Sequence, residues 1–86
     1  MPRVVLARSA RDALLALDHL LAEAILNALA VLGRDPDVGH RLRGRLTGLR
    51  SYRVGAYRII YELRQDATVR VLAIRHRGQA WETASR

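Results

Sequence analysis

The sequence predicts one α+β domain, in which a helical hairpin packs against one small sheet. Two observations carry this prediction. Apolar residues recur every three or four positions over residues 10–32, whereas β-branched runs separated by turn residues follow over 49–74. Half of the 86 residues are apolar, which is enough for one core between a helical layer and a sheet. The predicted order is β-α-α-β-β-β, with residues 1–86 as a single domain.

The first strand and the first helix are predicted close to the N-terminus. Residues 3–7 (RVVLA) form a β-branched run that is typical of a strand. Ser9 and Asp12 have the spacing of a capping box, in which each side chain accepts a hydrogen bond from a backbone N–H at a helix start. The first helix is therefore expected to begin near Ala10.

The helical stripe that follows is too long for one helix. At ~1.5 Å per residue, a helix over residues 10–32 would extend about 35 Å, which is longer than a compact domain of this size is wide. Asp18 is a good N-cap residue and marks the expected break. Gly33 and Pro36 end the second helix.

The second half of the chain predicts three strands. Runs over 49–54 and 57–63 are separated by Gly55-Ala56, which suits a two-residue type II′ turn. Gln65-Asp66 offers the next turn before a third run over 68–74. These three strands are expected to pair in antiparallel fashion.

The composition favours a polyanionic partner. The chain carries a net charge of +7, all fifteen basic residues are Arg, and residues 34–48 are expected to form a basic connecting loop. Such a charge attracts RNA or an acidic protein. The absence of Cys excludes disulfides and a cysteine nucleophile, and fits a reducing cytoplasm. Because the sequence shows neither metal-ligand spacing nor a long apolar stretch, no metal, cofactor or membrane association is predicted.

Two segments carry a resemblance to a known family. Residues 42–62 (LRGRLTGLRSYRVGAYRIIYE) and 69–81 (VRVLAIRHRGQAW) resemble the RelE/ParE toxin superfamily of bacterial type II toxin–antitoxin systems, and the likeness covers nearly the whole chain. The resemblance implies a RelE-like fold, in which a twisted antiparallel sheet has the helical hairpin packed on one face and a basic cleft on the other. It also implies a cognate acidic antitoxin that wraps the toxin, with a toxin–antitoxin heterotetramer as an expected assembly.

The superfamily includes two activities. In the RelE branch, the cleft binds mRNA on the ribosome and promotes attack of a ribose 2′-hydroxyl on the adjacent phosphate, whereas the ParE branch targets DNA gyrase. The favoured interpretation is a ribosome-dependent mRNA endonuclease that inhibits translation in the cytoplasm, with ribosome and mRNA as partners. The alternatives are a ParE-like gyrase inhibitor without RNase activity, and a nucleic-acid-binding module without catalysis, whose binding would depend steeply on salt.

RNA cleavage requires a group that takes the 2′-hydroxyl proton, cations beside the phosphorane and an acid for the 5′-oxygen. Arg58 matches the phosphate-contacting Arg of the RelE motif, and Arg77 matches the Arg that RelE-type enzymes place beside the leaving group. Arg53 lies across the hairpin from Arg58, and His76 is of the residue type suited to proton transfer near neutral pH. These four are the expected catalytic residues, although each position also suits a solvent-exposed or structural side chain.

RNA contacts are expected from further basic residues and one aromatic residue, namely Arg41, Arg43, Arg45, Arg50, Arg75 and Trp81. Trp81 either stacks on an unpaired base or tethers the chain end to the core. RelE-type enzymes carry Lys residues near the second strand, and this chain has none. Because Arg does not readily lose its proton, either His76 or Glu62 assists the reaction, or the arginines act by electrostatic stabilisation alone.

Overall fold

Two helices pack on one face of a five-stranded sheet in the computed structural model, which describes residues 3–77. The elements are β1 (Val4–Leu6), α1 (Arg8–Leu15), α2 (His19–Arg34), β2 (His40–Arg41), β3 (Arg50–Val54), β4 (Tyr57–Leu63) and β5 (Val69–His76). Their order in the sheet is β1-β5-β4-β3-β2. The fold class predicted from the sequence is confirmed. Neither helix of this described region has the length and apolar character needed to cross a membrane.

The sheet is antiparallel from β2 to β5, and β1 adds to it in parallel. Val4 pairs with Val69 and Leu6 with Val71. The sequence predicted neither this parallel pairing nor β2, whose two residues lie in the segment expected to be a loop. The whole intervening chain joins β1 to β5, so no tight turn determines the direction of β1.

The capping box predicted at Ser9 and Asp12 was wrong. Helix α1 begins at Arg8, so Ser9 lies inside its first turn, and the N-cap residue Ala7 makes no side-chain hydrogen bond. The Ala7 amide donates to the Val71 carbonyl at 2.8 Å, which keeps the chain on the sheet up to that residue. The helix therefore starts directly at the end of the strand and leaves no separate capping residue.

The break predicted at Asp18 is confirmed. Helix α1 ends at Leu15, and α2 begins directly after Asp18. The Asp18 Oδ1 atom accepts hydrogen bonds from the amides of Leu20 and Leu21, both at 3.0 Å. Two of the N–H groups that a helix start leaves without a backbone partner are thereby satisfied.

Replacing Asp18 with alanine is expected to lower the free energy of unfolding by ~1 kcal/mol, the usual cost of losing an N-cap acceptor. Urea unfolding followed by circular dichroism measures this loss. Asp18→Asn is the matched control, because it retains an acceptor oxygen and should keep most of the stability. An alanine variant as stable as the parent would contradict a capping role.

The core lies between the helices and one face of the sheet, called here the helix face. Its fully buried large side chains come from α2 and from the central strands β4 and β5. They are Ile25, Leu32, Ile59, Tyr61, Val69 and Val71. The opposite side of the sheet, called here the cleft face, carries the side chains that alternate with them.

A β-bulge in β5 determines which side chains of its second half reach the cleft face. Tyr61 pairs with Val71, but the preceding residue Ile60 pairs with Ala73, so Leu72 is an extra residue without a partner. Without the bulge, simple alternation from Val71 would point residue 75 toward the helices. With it, Ile74 is buried and Arg75 lies on the cleft face.

The two hairpin turns use positive φ angles differently. The turn predicted at Gly55-Ala56 is confirmed: Val54 pairs with Tyr57, and only the first central residue, Gly55, has a positive φ of 58°, as a type II′ turn requires. In the β4–β5 turn, the residue with positive φ is Ala67, at 70°. The left-handed region disfavours a residue with a Cβ atom.

Ala67→Gly is therefore expected to raise the free energy of unfolding by ~0.5–1 kcal/mol. The relief of the left-handed strain, ~1–2 kcal/mol, exceeds the extra backbone entropy that glycine loses on folding, ~0.5–1 kcal/mol. Thermal and urea unfolding provide the measurement. Ala56→Gly is the control, since Ala56 has no positive φ and should gain nothing; an equal gain at both positions would refute the explanation.

Candidate nucleic-acid interface

Three arginines lie side by side on the cleft face. Arg53 on β3 pairs directly with Arg58 on β4, and Arg58 pairs directly with Arg75 on β5. Directly opposed residues of antiparallel strands hold their Cβ atoms about 4.5–5.5 Å apart. The three side chains, called here the arginine row, therefore leave the sheet from one strip about 10 Å wide across two strand spacings.

The charge of the arginine row is not balanced by acidic side chains of the described region. The three ion pairs formed within residues 3–77 join Asp37 or Glu62 to Arg50, Arg64 and Arg70, and none of these arginines is a member of the row. Like charges directly opposite each other destabilise a sheet. A row that breaks this rule without local compensation is typical of a functional site, and a bound anion would relieve the repulsion.

A depression beside the arginine row adds an imidazole and a hydroxyl to the site. It has a volume of about 370 Å³ and is lined by His40, Leu42, Ser51, Arg53 and Arg58, which is within the size range of ligand clefts, ~300–1,000 Å³. Ser51 pairs with both His40 and Ile60 and is only 7% exposed. The sequence reasoning left His40 and Ser51 out of the predicted site.

Arg77 lies next to the arginine row at the end of β5. Its amide donates to the Ala56 carbonyl at 2.7 Å. This bond extends the β4–β5 ladder as far as Ala56, in the turn between β3 and β4. Alternation past His76 directs the Arg77 side chain to the same face as Arg75. The structure thus brings together the positions of four predicted site residues, Arg53, Arg58, Arg75 and Arg77.

His76, in contrast, lies on the helix face. It pairs with Tyr57, and the two rings form an edge-to-face contact with centroids 5.1 Å apart and an interplanar angle of 80°. Such contacts stabilise a sheet by cross-strand packing. The sheet backbone therefore lies between His76 and the arginine row. This position does not favour the predicted role of His76 in proton transfer, which stays a prediction.

Arg50 is held on the helix face by a local network. Its Nη1 atom lies 2.6 Å from Asp37 Oδ1 and 3.4 Å from the Pro36 carbonyl oxygen, and its side chain is only 13% exposed. The buried Tyr61 hydroxyl donates to the same Pro36 carbonyl at 2.7 Å. Burial raises the pKa of Tyr61, which keeps this hydroxyl protonated. Arg41 pairs with Arg50, so the register places both residues away from the arginine row.

The remaining predicted residues lie farther from the row or outside the described region. Arg43 and Arg45 belong to the connection before β3, at the end of that strand remote from Arg53. Trp81 lies outside the described residues. Glu62 is on the cleft face but four residues along β4 from Arg58, about 13 Å, and its carboxylate contacts Arg64 and Arg70 at 3.8 and 3.6 Å.

The site therefore provides anion-binding groups, one hydroxyl and one imidazole. Guanidinium groups donate paired hydrogen bonds to phosphate oxygens and keep their charge at any working pH. Residues 3–77 contain no group of three His, Cys or acidic side chains placed to hold a metal ion. The arrangement suits recognition of a phosphodiester, and stabilisation of extra negative charge on it.

Comparison with known proteins matches this chain to a toxin family. A family model described as the ParE toxin of the type II toxin–antitoxin system parDE matches residues 4–81. A comparison with curated proteins found no match.

Solved structures show the same fold. A chain of the RelBE2 toxin–antitoxin complex from Mycobacterium tuberculosis is 32% identical, with a TM-score of 0.81 over 88% of this chain and 99% of that one. A chain of the archaeal RelE–RelB complex from Pyrococcus horikoshii is 27% identical, with a TM-score of 0.75 over 92% and 98%. The isolated RelE toxin of E. coli, at 16% identity and a TM-score of 0.77 over 99% and 96%, shares the fold.

Proposed function

Since this chain belongs to the ParE toxin family of type II toxin–antitoxin systems, within the RelE/ParE superfamily, we propose that it is a ribosome-dependent mRNA endonuclease that inhibits translation. The observation that carries the proposal is the arginine row, three adjacent guanidiniums without an acidic partner in the described region. The site of action is the cytoplasm, where translating ribosomes present mRNA.

The arginine row supports cleavage through charge stabilisation. When a ribose 2′-oxygen attacks the adjacent phosphorus, the phosphorane gains negative charge on its non-bridging oxygens. In this proposal Arg58, between its two neighbours, donates to these oxygens, while Arg53 and Arg75 flank it. Arg77, next to the row, donates to the leaving 5′-oxygen. Because strand pairing positions the donors before substrate binds, little reorganisation is needed during the reaction.

A cognate acidic antitoxin is the proposed protein partner. The net charge of +7 favours an acidic polypeptide through long-range attraction. Similar chains from Mycobacterium tuberculosis and Pyrococcus horikoshii were solved in toxin–antitoxin complexes, which supports a complex of the same kind here. Co-expression of such an antitoxin should restore the growth of cells that produce this chain.

Inhibition of DNA gyrase is the second candidate function. Two observations favour it: the matching family model is the one described for ParE toxins, and the chain has no Lys, although RelE-type enzymes carry Lys near the second strand. In this case the arginine row would contact an acidic surface or DNA without cleaving RNA.

Induction in a bacterium, followed by mapping of RNA 5′ ends and of plasmid supercoiling, tests the two functions together. Cuts in mRNA that follow the codon phase within minutes of induction are the expected result. Altered supercoiling with intact mRNA would establish the gyrase-directed activity instead. Harmless expression, with RNA binding that weakens steeply with salt, would indicate a binding module without catalysis.

A further inference from the structure

His40 lies on the cleft face beside the arginine row. It is the first residue of β2, the direct partner of Ser51, and both line the depression that Arg53 and Arg58 also line. The chain has three histidines. Since His19 begins α2 and His76 contacts Tyr57 on the helix face, His40 is the histidine that the fold places in the depression.

Strand geometry brings His40 within reach of a phosphate bound by the row. Arg53 is one strand away and two positions along, which corresponds to about 8 Å between Cα atoms, and Arg58 is one strand further, at about 12 Å. All three side chains leave the sheet on the same face and line the depression. His40 is itself exposed, so its ring is accessible to a nucleotide.

The other candidates for proton transfer in the described region are poorly placed. Arginine does not readily lose its proton, and the chain contains no Lys or Cys. The Glu62 carboxylate lies beside Arg64 and Arg70, about 13 Å along β4 from Arg58. The Tyr61 hydroxyl is buried and bonded to Gly39 and Pro36. An imidazole is the side chain that accepts and returns protons near neutral pH.

We propose that His40 is the general base of the cleavage reaction, an inference that rests on the proposed RNase function. The neutral His40 ring takes the proton of the ribose 2′-hydroxyl as the 2′-oxygen forms a bond to phosphorus. The bond from phosphorus to the 5′-oxygen breaks, and that oxygen takes a proton from water. The products are a 2′,3′-cyclic phosphate and a 5′-hydroxyl end, and His40 returns its proton to solvent.

The test measures single-turnover cleavage on programmed ribosomes between pH 5.5 and 8.5 for the parent, His40→Ala and His40→Gln. Loss of a general base costs about 100-fold or more, so both variants should cut at least 100-fold more slowly. The rise of the rate with pH should disappear, and added imidazole should restore part of the alanine variant's activity. His19→Ala is the matched control and should cut like the parent, because His19 lies on α2.

The outcomes separate this inference from the proposed function. If the parent cuts and both His40 variants cut as fast, or more slowly but with the parent's pH dependence, His40 is not the base while the RNase function stands. If the variants instead lose affinity for mRNA in a filter-binding assay in proportion to their loss of rate, His40 only contacts the substrate. In that case too His40 is not the base, and the RNase function stands. If the parent never cuts RNA, both the function and the role of His40 are overturned.

Discussion

Arg58→Ala is expected to lower the single-turnover rate of mRNA cleavage on programmed ribosomes by about 100-fold or more, the scale observed when one preorganised donor to a developing charge is lost. We expect so large an effect on the rate because Arg58 is the central member of the arginine row, between Arg53 and Arg75. Arg58→Lys should recover only part of the rate, since an ammonium keeps the charge but lacks the planar pair of donors.

The fold should survive this substitution, which distinguishes loss of chemistry from loss of structure. Removing one of three adjacent like charges reduces repulsion in the sheet, so the thermal midpoint of Arg58→Ala should equal or exceed that of the parent. Arg64→Ala is the matched control: Arg64 is exposed, contacts Glu62 at 3.8 Å, and lies just past the other end of β4. Equal rates for parent and Arg58→Ala would show that the cleavage site is elsewhere.

Gly39→Ala is expected to lower the free energy of unfolding by about 3 kcal/mol, the combined cost of overpacking and of broken buried hydrogen bonds. A Cβ atom at position 39 would lie 2.9 Å from Tyr61 Cε1 and 3.0 Å from the Ser51 carbonyl oxygen, and would overlap the Tyr61 hydroxyl. The Tyr61 side chain is fully buried. For a domain stabilised by ~5–15 kcal/mol, such a loss is large.

A double-mutant cycle with Tyr61→Phe tests this explanation by urea unfolding. The Gly39 amide donates to the Tyr61 hydroxyl at 3.0 Å, so Tyr61→Phe alone should cost about 1–3 kcal/mol for the groups left without a partner. In the double mutant, the hydroxyl that collides with the new methyl group is absent. The free energy of unfolding should therefore fall by less than the sum of the losses in the two single mutants. Strictly additive losses would exclude a direct collision between the two residues.

This contact also connects the core to the proposed site. Gly39 precedes His40, and β2 has only two residues, so the bond from the Gly39 amide to Tyr61 helps to hold the edge strand in register with Ser51. We therefore expect Gly39→Ala to reduce cleavage even under conditions in which the protein remains folded.

Local patterns in the sequence predicted the features that depend on neighbours along the chain. Alternation within β4 directs Arg58 and Ile59 to opposite sides of the sheet, because side chains of a strand alternate whatever its partners are. Gly55 predicted the hairpin, since a turn of two residues needs a positive φ, and Asp18 predicted the helix break. At Ser9 the local signal failed, because the pairing of Ala7 with Val71 decided where the helix starts.

The composition of the site was decided by contacts between distant segments. The unpaired Leu72 places Arg75 next to Arg58, and no residue type at that position predicts a bulge. The pairing of β2 with β3 places His40 in the depression, although two residues are too few for a periodic pattern. Residue identities and short-range spacing thus determined the fold class, and the family resemblance indicated the central arginine. Strand register, which depends on side chains packed from across the chain, decided which histidine and which further arginines lie beside Arg58.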